Sequence, residues 1–413
     1  MTADSNEVGH FAGRHVLAEL TDVDAAKLDD EEFLRSSLET ALTEAGATVL
    51  NLMSHKFDPQ GVTMLALLAE SHASIHTYPE HGCAFLDFFT CGEQADPEKA
   101  AQLFATAVGG TLHSKTVGRG LNAPAAVMTE SVGEGMTRSW EMTEVVVDAN
   151  STFQHYTIGR TAQGLSLFCD EERQSTEQTQ LIYHEALMIP AMVLAEKLER
   201  VLIIGSSEGV ASQLAVAAGA KVVDHVDIDQ EVVEVCAREL PYGYTPSELA
   251  KAVNQDGPIR VHYRDGWEFL AEAAAGTDRY DVVVIDLPDE TTDPEAQHNR
   301  LYGLDFLANC AAVLAPGGVV STQAGCPTVW RNETLKLSWE RFTRAFGTVA
   351  YYGSDEHEWA FVSARQDTIE SHVEAMCDRL ERLPYRPESI DTAALRSNAT
   401  PPMQVRQLSL VSQ

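Results

Sequence analysis

The stretch Glu70-Ser71-His72-Ala73-Ser74-Ile75-His76-Thr77-Tyr78-Pro79-Glu80 concentrates side chains that can do chemistry. It follows an apolar run, Val62 to Ala69, that reads as a buried strand ending in a Glu-Ser step. A serine directly after a strand, with a histidine five residues on, is one way to build a hydrolase nucleophile. No Gly-x-Ser-x-Gly elbow surrounds Ser71 to expose its hydroxyl, which weakens that reading. The other chemistry is self-cleavage. The Ser71 hydroxyl attacks the carbonyl of Glu70 and turns the amide into an ester. A base removes the serine α-proton, the ester is eliminated, and hydrolysis leaves a pyruvoyl group in place of Ser71.

A second constellation lies downstream. The β-branched run Val201 to Ile204 ends in Gly205-Ser206-Ser207-Glu208-Gly209, and the run Val222 to Ile228 closes on Asp227 and Asp229. A glycine-rich strand-to-helix turn followed by an acid at the next strand end is a nucleoside-binding arrangement. The turn lets a ligand approach the backbone, and the carboxylate takes both ribose hydroxyls. Such a turn alone is shared by methyltransferases and dehydrogenases.

These groups need elements to hold them. His15 to Leu20 reads as a strand, Asp29 to Ala45 as an amphipathic helix with Phe33, Leu34, Leu38, Ala41 and Leu42 at helical spacing, and Ala47 to Met53 as the next strand. After the Val62–Ala69 strand come a strand from Ala84 to Phe89 and a helix from Asp96 to Ala107, opened by Asp96-Pro97. Units of this size predict a small α/β sandwich with helices on one sheet face. Residues 123–137, rich in small side chains, read as a linker, and short strands follow to about Leu167. A helix then runs through Tyr183-His184-Glu185. Strands at 201–204, 222–228, 281–285 and 318–322, with glycine turns and carboxylates at their ends, describe a doubly wound parallel sheet, whose ligands bind at the carboxyl ends of its strands.

Composition narrows the classes. The 413 residues, 44% hydrophobic and 22% charged, suffice for two or three domains with their own cores. The 62 acidic and 29 basic residues leave a net charge of -33, which repels nucleic acid and anionic lipid and attracts cationic small molecules. A salt-adapted or merely soluble surface explains the same charge. The polar, acidic N-terminus lacks a signal pattern and no apolar run approaches membrane-spanning length, so a cytoplasmic protein is expected. Seven cysteines argue against a disulfide framework, and neither a CxxC pair nor a zinc-like spacing predicts a metal.

ESHASIHTYPE, together with His55-Lys56-Phe57, Gly61-Val62-Thr63 and Asp87-Phe88-Phe89-Thr90-Cys91-Gly92, resembles the bacterial and archaeal S-adenosylmethionine decarboxylase family over roughly His15 to Gly120. The resemblance implies cleavage between Glu70 and Ser71 and a pyruvoyl cofactor made from Ser71, without pyridoxal phosphate. That group forms a Schiff base with the substrate amine and accepts the electrons released with carbon dioxide. It further implies His76 as the processing histidine, Cys91 as the proton donor, and Phe57 and Tyr78 as aromatics flanking an adenine. Thr63 stands where the family usually has a serine that assists processing, and Tyr78 where tryptophan is common.

Phe153-Gln154, Gln174, Tyr183-His184-Glu185, Val226-Asp227-Ile228-Asp229, Asp265-Gly266, Asp286 with Asp289, and Leu301-Tyr302 resemble the spermidine synthase (aminopropyltransferase) family, from about Trp140 onward. By that resemblance Asp227 is the ribose ligand, Asp265 the adenine ligand and Gly205 the close-approach glycine. Asp286 is the base that keeps the attacking amine neutral, and Asp289 holds the substrate's other ammonium. Gln154, Gln174, Tyr183 and His184 line the channel. The sequence departs at the glycine turn, at Asp286-Leu287-Pro288-Asp289-Glu290, and between Tyr352 and Trp359, where a Pro-Thr-Tyr-Pro segment is missing.

The two resemblances imply a bifunctional polyamine-biosynthetic chain: residues 8–122 a decarboxylase-like domain, 123–137 a linker, 138–185 a small β domain, and 186–413 a Rossmann-like catalytic domain. The first half would decarboxylate S-adenosylmethionine; the second would pass its aminopropyl group to an amine, putrescine by default, leaving methylthioadenosine. Decarboxylation of ornithine or arginine, or a C-terminal half that only binds nucleosides, are the alternatives. Both families imply at least a homodimer.

Overall fold

The computed structural model describes residues 12–69, 71–91, 94–120, 124–290, 297–356 and 358–407. The chain divides into two units between Pro124 and Ala125. No helix among the described residues is long and apolar enough to cross a membrane.

In the first unit, strands β1 (Ala12–Thr21), β2 (Val49–Lys56), β3 (Val62–Leu68), β4 (Ser71–Tyr78), β5 (Cys83–Cys91) and β6 (Thr111–Gly120) form one sheet. Its order is β2-β3-β4-β5-β1-β6, and every neighbouring pair is antiparallel. Helices α1 (Ala25–Leu28), α2 (Glu31–Glu44) and α3 (Pro97–Val108) accompany it. Asp30 caps α2 by accepting from the Phe33 amide at 3.0 Å, and Asp96 caps α3 through the Lys99 amide at 3.0 Å. Leu34, Leu38 and Leu42 form one apolar stripe on α2, and it meets Val16, Met64 and Phe88 from alternate strand positions. Among the described residues of this unit, the opposite sheet face has no helix on it. It presents Leu17, Leu65, Leu67 and Phe85, each about half exposed, an unusually apolar open surface.

In the second unit, β7 (Ala126–Gly133) and β8 (Met136–Met142) make a hairpin. The predicted linker is therefore largely a strand. Its small side chains hid the alternation, and Gly133 and Gly135 belong to the turn, where Gly135 takes φ +70°. Strands β9 (Glu144–Asn150), β10 (His155–Thr161), β11 (Gly164–Cys169) and β12 (Glu172–Thr176) then form a four-stranded antiparallel sheet. Helix α4 (Gln180–Leu194) follows, buried along most of its length and unbroken at the predicted 185/186 boundary.

The large sheet contains β13 (Arg200–Gly205), β14 (Val222–Asp227), β15 (Ile259–Tyr263), β16 (Tyr280–Asp286), β17 (Leu314–Gln323), β18 (Thr348–Gly353) and β19 (Ala360–Arg365). Its order is β15-β14-β13-β16-β17-β19-β18. The first five strands are parallel, while β19 runs antiparallel to β17 and to β18. Helices α5 (Val210–Ala217), α6 (Gln230–Glu239), α7 (Pro246–Val253), α8 (Gly266–Ala275), α9 (Leu304–Val313) and α10 (Glu333–Ala345) connect the strands. Strand order reverses between β13 and β16, and a crevice at the carboxyl ends of the strands opens at that switch point. The doubly wound expectation holds, with an antiparallel edge added.

Candidate active sites

On the open face of the first sheet, Thr63 pairs directly with His76 across β3 and β4, and the Thr63 hydroxyl lies 2.9 Å from His76 Nδ1. Phe57 and Tyr78 are exposed at the end of the sheet near Gly61, whose carbonyl accepts from the Phe57 amide at 2.8 Å. Tyr78 meets the Phe85 ring edge-on at 5.5 Å. Ser71 heads β4 opposite Leu68, and among the described residues its buried hydroxyl oxygen has no hydrogen-bond partner. Cys91 ends β5 opposite Gly13, and the His72–Phe89 pairing carried one step further sets Ser71 beside Thr90, next to Cys91. Glu70 and Gly92 lie outside the described residues.

One expected neighbour is missing. Ser71 and His76 occupy a single extended strand, where five residues at about 3.3 Å each put them about 16 Å apart. The odd spacing also turns them to opposite faces. Thr63, His76, Phe57 and Tyr78 thus group towards one end of the sheet in a single chain, and Ser71 with Cys91 towards the other.

The second unit holds a cavity of about 750 Å³ at the ends of β13, β14 and β16. Gly205 has φ +82°, and a Cβ there would lie 2.0 Å from the Asp286 carbonyl oxygen, so only glycine fits this turn. His225 lies 2.8 Å from the Gly205 carbonyl oxygen and 2.9 Å from the Tyr244 hydroxyl; full burial lowers its pKa to about 4, which keeps it neutral. Asp227 accepts from the Ser207 hydroxyl at 3.0 Å and the Asp229 amide at 2.8 Å. Burial pushes its pKa up to about 7.

Asp286, on β16, accepts from the Tyr183 hydroxyl of α4 at 2.6 Å, and burial raises its proton affinity. Tyr183 is itself enclosed by the rings of His184, Trp359 and Phe361, at 5.3, 5.6 and 5.2 Å. Asp289 accepts from Gln323 at 2.5 Å, and burial raises its pKa as well. Gln154 donates to Asp229 at 3.0 Å, Gln174 to the Glu172 carbonyl oxygen at 3.3 Å, and His184 Nδ1 lies 2.7 Å from the Gln180 carbonyl oxygen. All the residues predicted for this site line the cavity.

Asp265 is also committed to structure. It caps α8 by accepting from the Trp267 and Glu268 amides at 2.9 and 3.2 Å, and it pairs with Arg300. The sequence reading missed Arg300, and it missed Glu172, Gln323 and Trp359 as lining groups. Glu172 sits in a run, Glu171-Glu172-Arg173, that reads as a surface turn; only the fold turns it inward. Gln323 ends β17, where the strand-end rule that found Asp286 applies equally.

Comparison with known proteins places these sites in families. Residues 14–120 match the S-adenosylmethionine decarboxylase family, and residues 180–352 the spermine/spermidine synthase domain. The S-adenosylmethionine decarboxylase proenzyme of Prochlorococcus marinus (strain MIT 9313) is 54% identical over 120 residues, which are 29% of this chain and 94% of that protein. That of Synechococcus sp. (strain WH7803) is 62% identical over 92 residues, 22% of this chain and 72% of the relative. The archaeal proenzyme of Methanococcus aeolicus is 51% identical over 88 residues, 21% of this chain and 75% of the relative. Among solved structures, a spermidine synthase in complex with the transition-state analogue AdoDATO superposes with a TM-score of 0.59 at 19% identity, covering 71% of this chain and 98% of that one. The spermidine synthase of Thermotoga maritima gives 0.57 at 17% identity, over 70% and 96% of the two chains. At those identities the likeness is one of fold. Through its N-terminal unit the chain belongs to the S-adenosylmethionine decarboxylase family, fused to a spermine/spermidine synthase domain.

Proposed function

We propose that the chain cuts itself before Ser71, decarboxylates S-adenosylmethionine, and transfers the aminopropyl group of the product to an amine, with putrescine as the default acceptor. What carries this reading is the presence in one chain of both a Ser71-centred decarboxylase unit and a carboxylate-lined cavity built on Asp227 and Asp286. The Ser71 hydroxyl has no hydrogen-bond partner among the described residues, which leaves it available for attack on the preceding carbonyl. The pyruvoyl group so formed supplies the electron sink for decarboxylation. His76, held by Thr63, serves processing, and Cys91 returns a proton to carbon. Phe57 and Tyr78 offer two exposed aromatic faces to an adenine.

Because Ser71 and His76 lie about 16 Å apart along one strand, a complete first site takes His76 from a second copy. The apolar open face is the surface that copy would cover.

In the second cavity Asp227 holds the ribose, with Gly205 allowing close approach. Asp286 takes the proton of the attacking amine while Tyr183 orients it, and Asp289 holds the distal ammonium. Gln154, Gln174 and His184 line the channel for donor tail and acceptor. Both substrates are cationic, which matches a cavity this rich in carboxylates.

The test is intact mass spectrometry of the purified protein, followed by incubation with S-adenosylmethionine, ornithine or arginine, and then with a panel of amines. Two fragments, carbon dioxide from S-adenosylmethionine alone, and methylthioadenosine formed only with an amine are expected. A single uncut chain would overturn the decarboxylase half. One observation favours a second reading for the other half: the glycine turn is Gly205-Ser206-Ser207-Glu208-Gly209 and the Pro-Thr-Tyr-Pro segment between Tyr352 and Trp359 is missing, departures that suit a module binding nucleosides without turnover. Tight methylthioadenosine binding with no transfer to any amine would support that reading.

A further inference from the structure

The proposed chemistry does not use three polar side chains that the first sheet gathers on its open face. His72 and His15 flank Phe89 from β4 and β1, the strands on either side of β5, and Asp87 lies two residues along β5 on the same face. His15 Nε2 is 2.7 Å from Asp87 Oδ1, and His72 Nε2 is 3.7 Å from that same oxygen. The candidate ligand atoms all fall within 4.8 Å of one another. No local pattern reveals this cluster, because the residues are far apart along the chain and follow no ligand spacing.

A four-coordinate ion with bonds of about 2.0–2.1 Å needs its ligand atoms about 3.3 Å apart. The two separations from Asp87 Oδ1 straddle that value, and the third, between the two imidazole nitrogens, is no more than 4.8 Å, so the remaining closure falls to side-chain rotation. Three adjacent hydrogen-bonded strands fix the backbone, so little ordering is left to the ion. Two imidazoles with one carboxylate select late first-row divalent ions over magnesium or calcium, which take oxygen ligands. The Phe89 ring, 5.3 Å from His15 and 5.8 Å from His72, walls one side. The Arg119 guanidinium lies 5.0 Å from the same ring, a nearby positive charge that keeps the site weaker than a closed structural zinc site.

We propose that His15, His72 and Asp87 form a three-ligand site for zinc or a similar late first-row divalent ion, with a fourth position on the sheet face that also carries His76. His72 follows Ser71 on β4 with its side chain on the other sheet face, so an ion held there would fix the strand start that carries Ser71, and loading would inhibit the first reaction. That consequence rests on the decarboxylase reading; the binding does not. A second copy over this face would leave the ion in the cleft that must also admit substrate.

Full-length, tag-free protein stripped with chelator is titrated with Zn²⁺ by calorimetry and with Co²⁺ by visible absorption. One ion per chain is expected, with a Co²⁺ spectrum of four- or five-coordination. His15→Ala and the isosteric Asp87→Asn should each weaken binding at least about tenfold, in line with loss of a ligand. His55→Ala and Cys83→Ser, outside the cluster, should bind as the parent does. Zinc should stop carbon dioxide release at the occupancy seen by calorimetry, and chelator should restore it. Absence of saturable binding, or binding unchanged in both His15→Ala and Asp87→Asn, would overturn the site and leave an imidazole–carboxylate chain that only orients His72. Since binding is read without turnover, failure of the decarboxylase reading shows separately, as a chain that binds zinc but releases no carbon dioxide.

Discussion

Asp286 is the side chain on which the proposed transfer chemistry turns. A buried carboxylate with raised proton affinity, oriented by a tyrosine hydroxyl at 2.6 Å, is suited to take a proton from an incoming ammonium. Asparagine keeps the shape and an accepting oxygen but cannot take the proton. Asp286→Asn should therefore cut aminopropyl transfer by about 10²–10⁴-fold while carbon dioxide release from S-adenosylmethionine is unchanged. Equal loss of both activities would mean one shared site. Asp227 gives a prediction in pH. Its folded pKa, about 7, lies above the ordinary 3.8, so the folded protein holds a proton there that the unfolded chain has lost. The associated stability is complete below about 3.8 and is lost as pH rises through about 7. In the role proposed for Asp227, ribose hydroxyls donate to the ionised form, so nucleoside binding must expel that proton. Methylthioadenosine affinity should rise with pH up to about 7 and then level off, and Asp227→Asn should flatten the curve; calorimetry across that range reads both.

At the scale of elements, the turn after β13 decides whether the second cavity exists. Gly205→Ala puts a methyl group 2.0 Å from the Asp286 carbonyl oxygen in a backbone conformation that side chains rarely adopt. Strain and displacement together should cost at least about 2 kcal/mol and abolish transfer, read by denaturant midpoint and methylthioadenosine release. Gly135→Ala, also at positive φ but with nothing within 4 Å, should cost only about 1 kcal/mol and leave transfer intact. Legibility in the sequence followed the same local physics. Helices α2 and α3 could be read because Asp30 and Asp96 are plain caps before regular apolar stripes. The four parallel strands β13, β14, β16 and β17 were legible as β-branched runs ending in turns or acids. Strand β4 was not, because His72 and His76 on its open side read as chemistry rather than as alternation. Strand β7 looked like a linker, and β18 and β19 lacked a strand-end signal. Among site residues, strand ends exposed Gly205, Asp227 and Asp286. The pairing of Asp265 with Arg300, like the convergence of His15, His72 and Asp87, depends on tertiary register that no local pattern encodes.

For the whole molecule, the two units supply consecutive steps, since decarboxylation makes the donor that transfer consumes. On the proposed reading the first site does not close within one chain. Ser71 and His76 belong to one rigid strand, and no rotamer spans about 16 Å. A face bearing Leu17, Leu65, Leu67 and Phe85 would be costly to leave in water, and a symmetric pair of sheets would bring the Ser71 end of each strand towards the His76 end of its partner. Co-expression tests this. A chain with Ser71→Ala keeps His76, and a chain with His76→Ala keeps Ser71, so each is inert with its own kind. In mixed dimers the His76→Ala chain should be cut by the histidine opposite it. Random pairing makes half the dimers mixed, with one cleavable chain in each, so roughly a quarter of all chains should appear as fragments by mass spectrometry. Leu67→Asp introduced into both chains should lower that fraction together with the dimer population. Complete absence of fragments in mixed dimers would mean that His76 serves the Ser71 of its own chain and that covering the apolar face has no part in processing, whereas cleavage of the His76→Ala chain expressed alone would mean that another base serves Ser71.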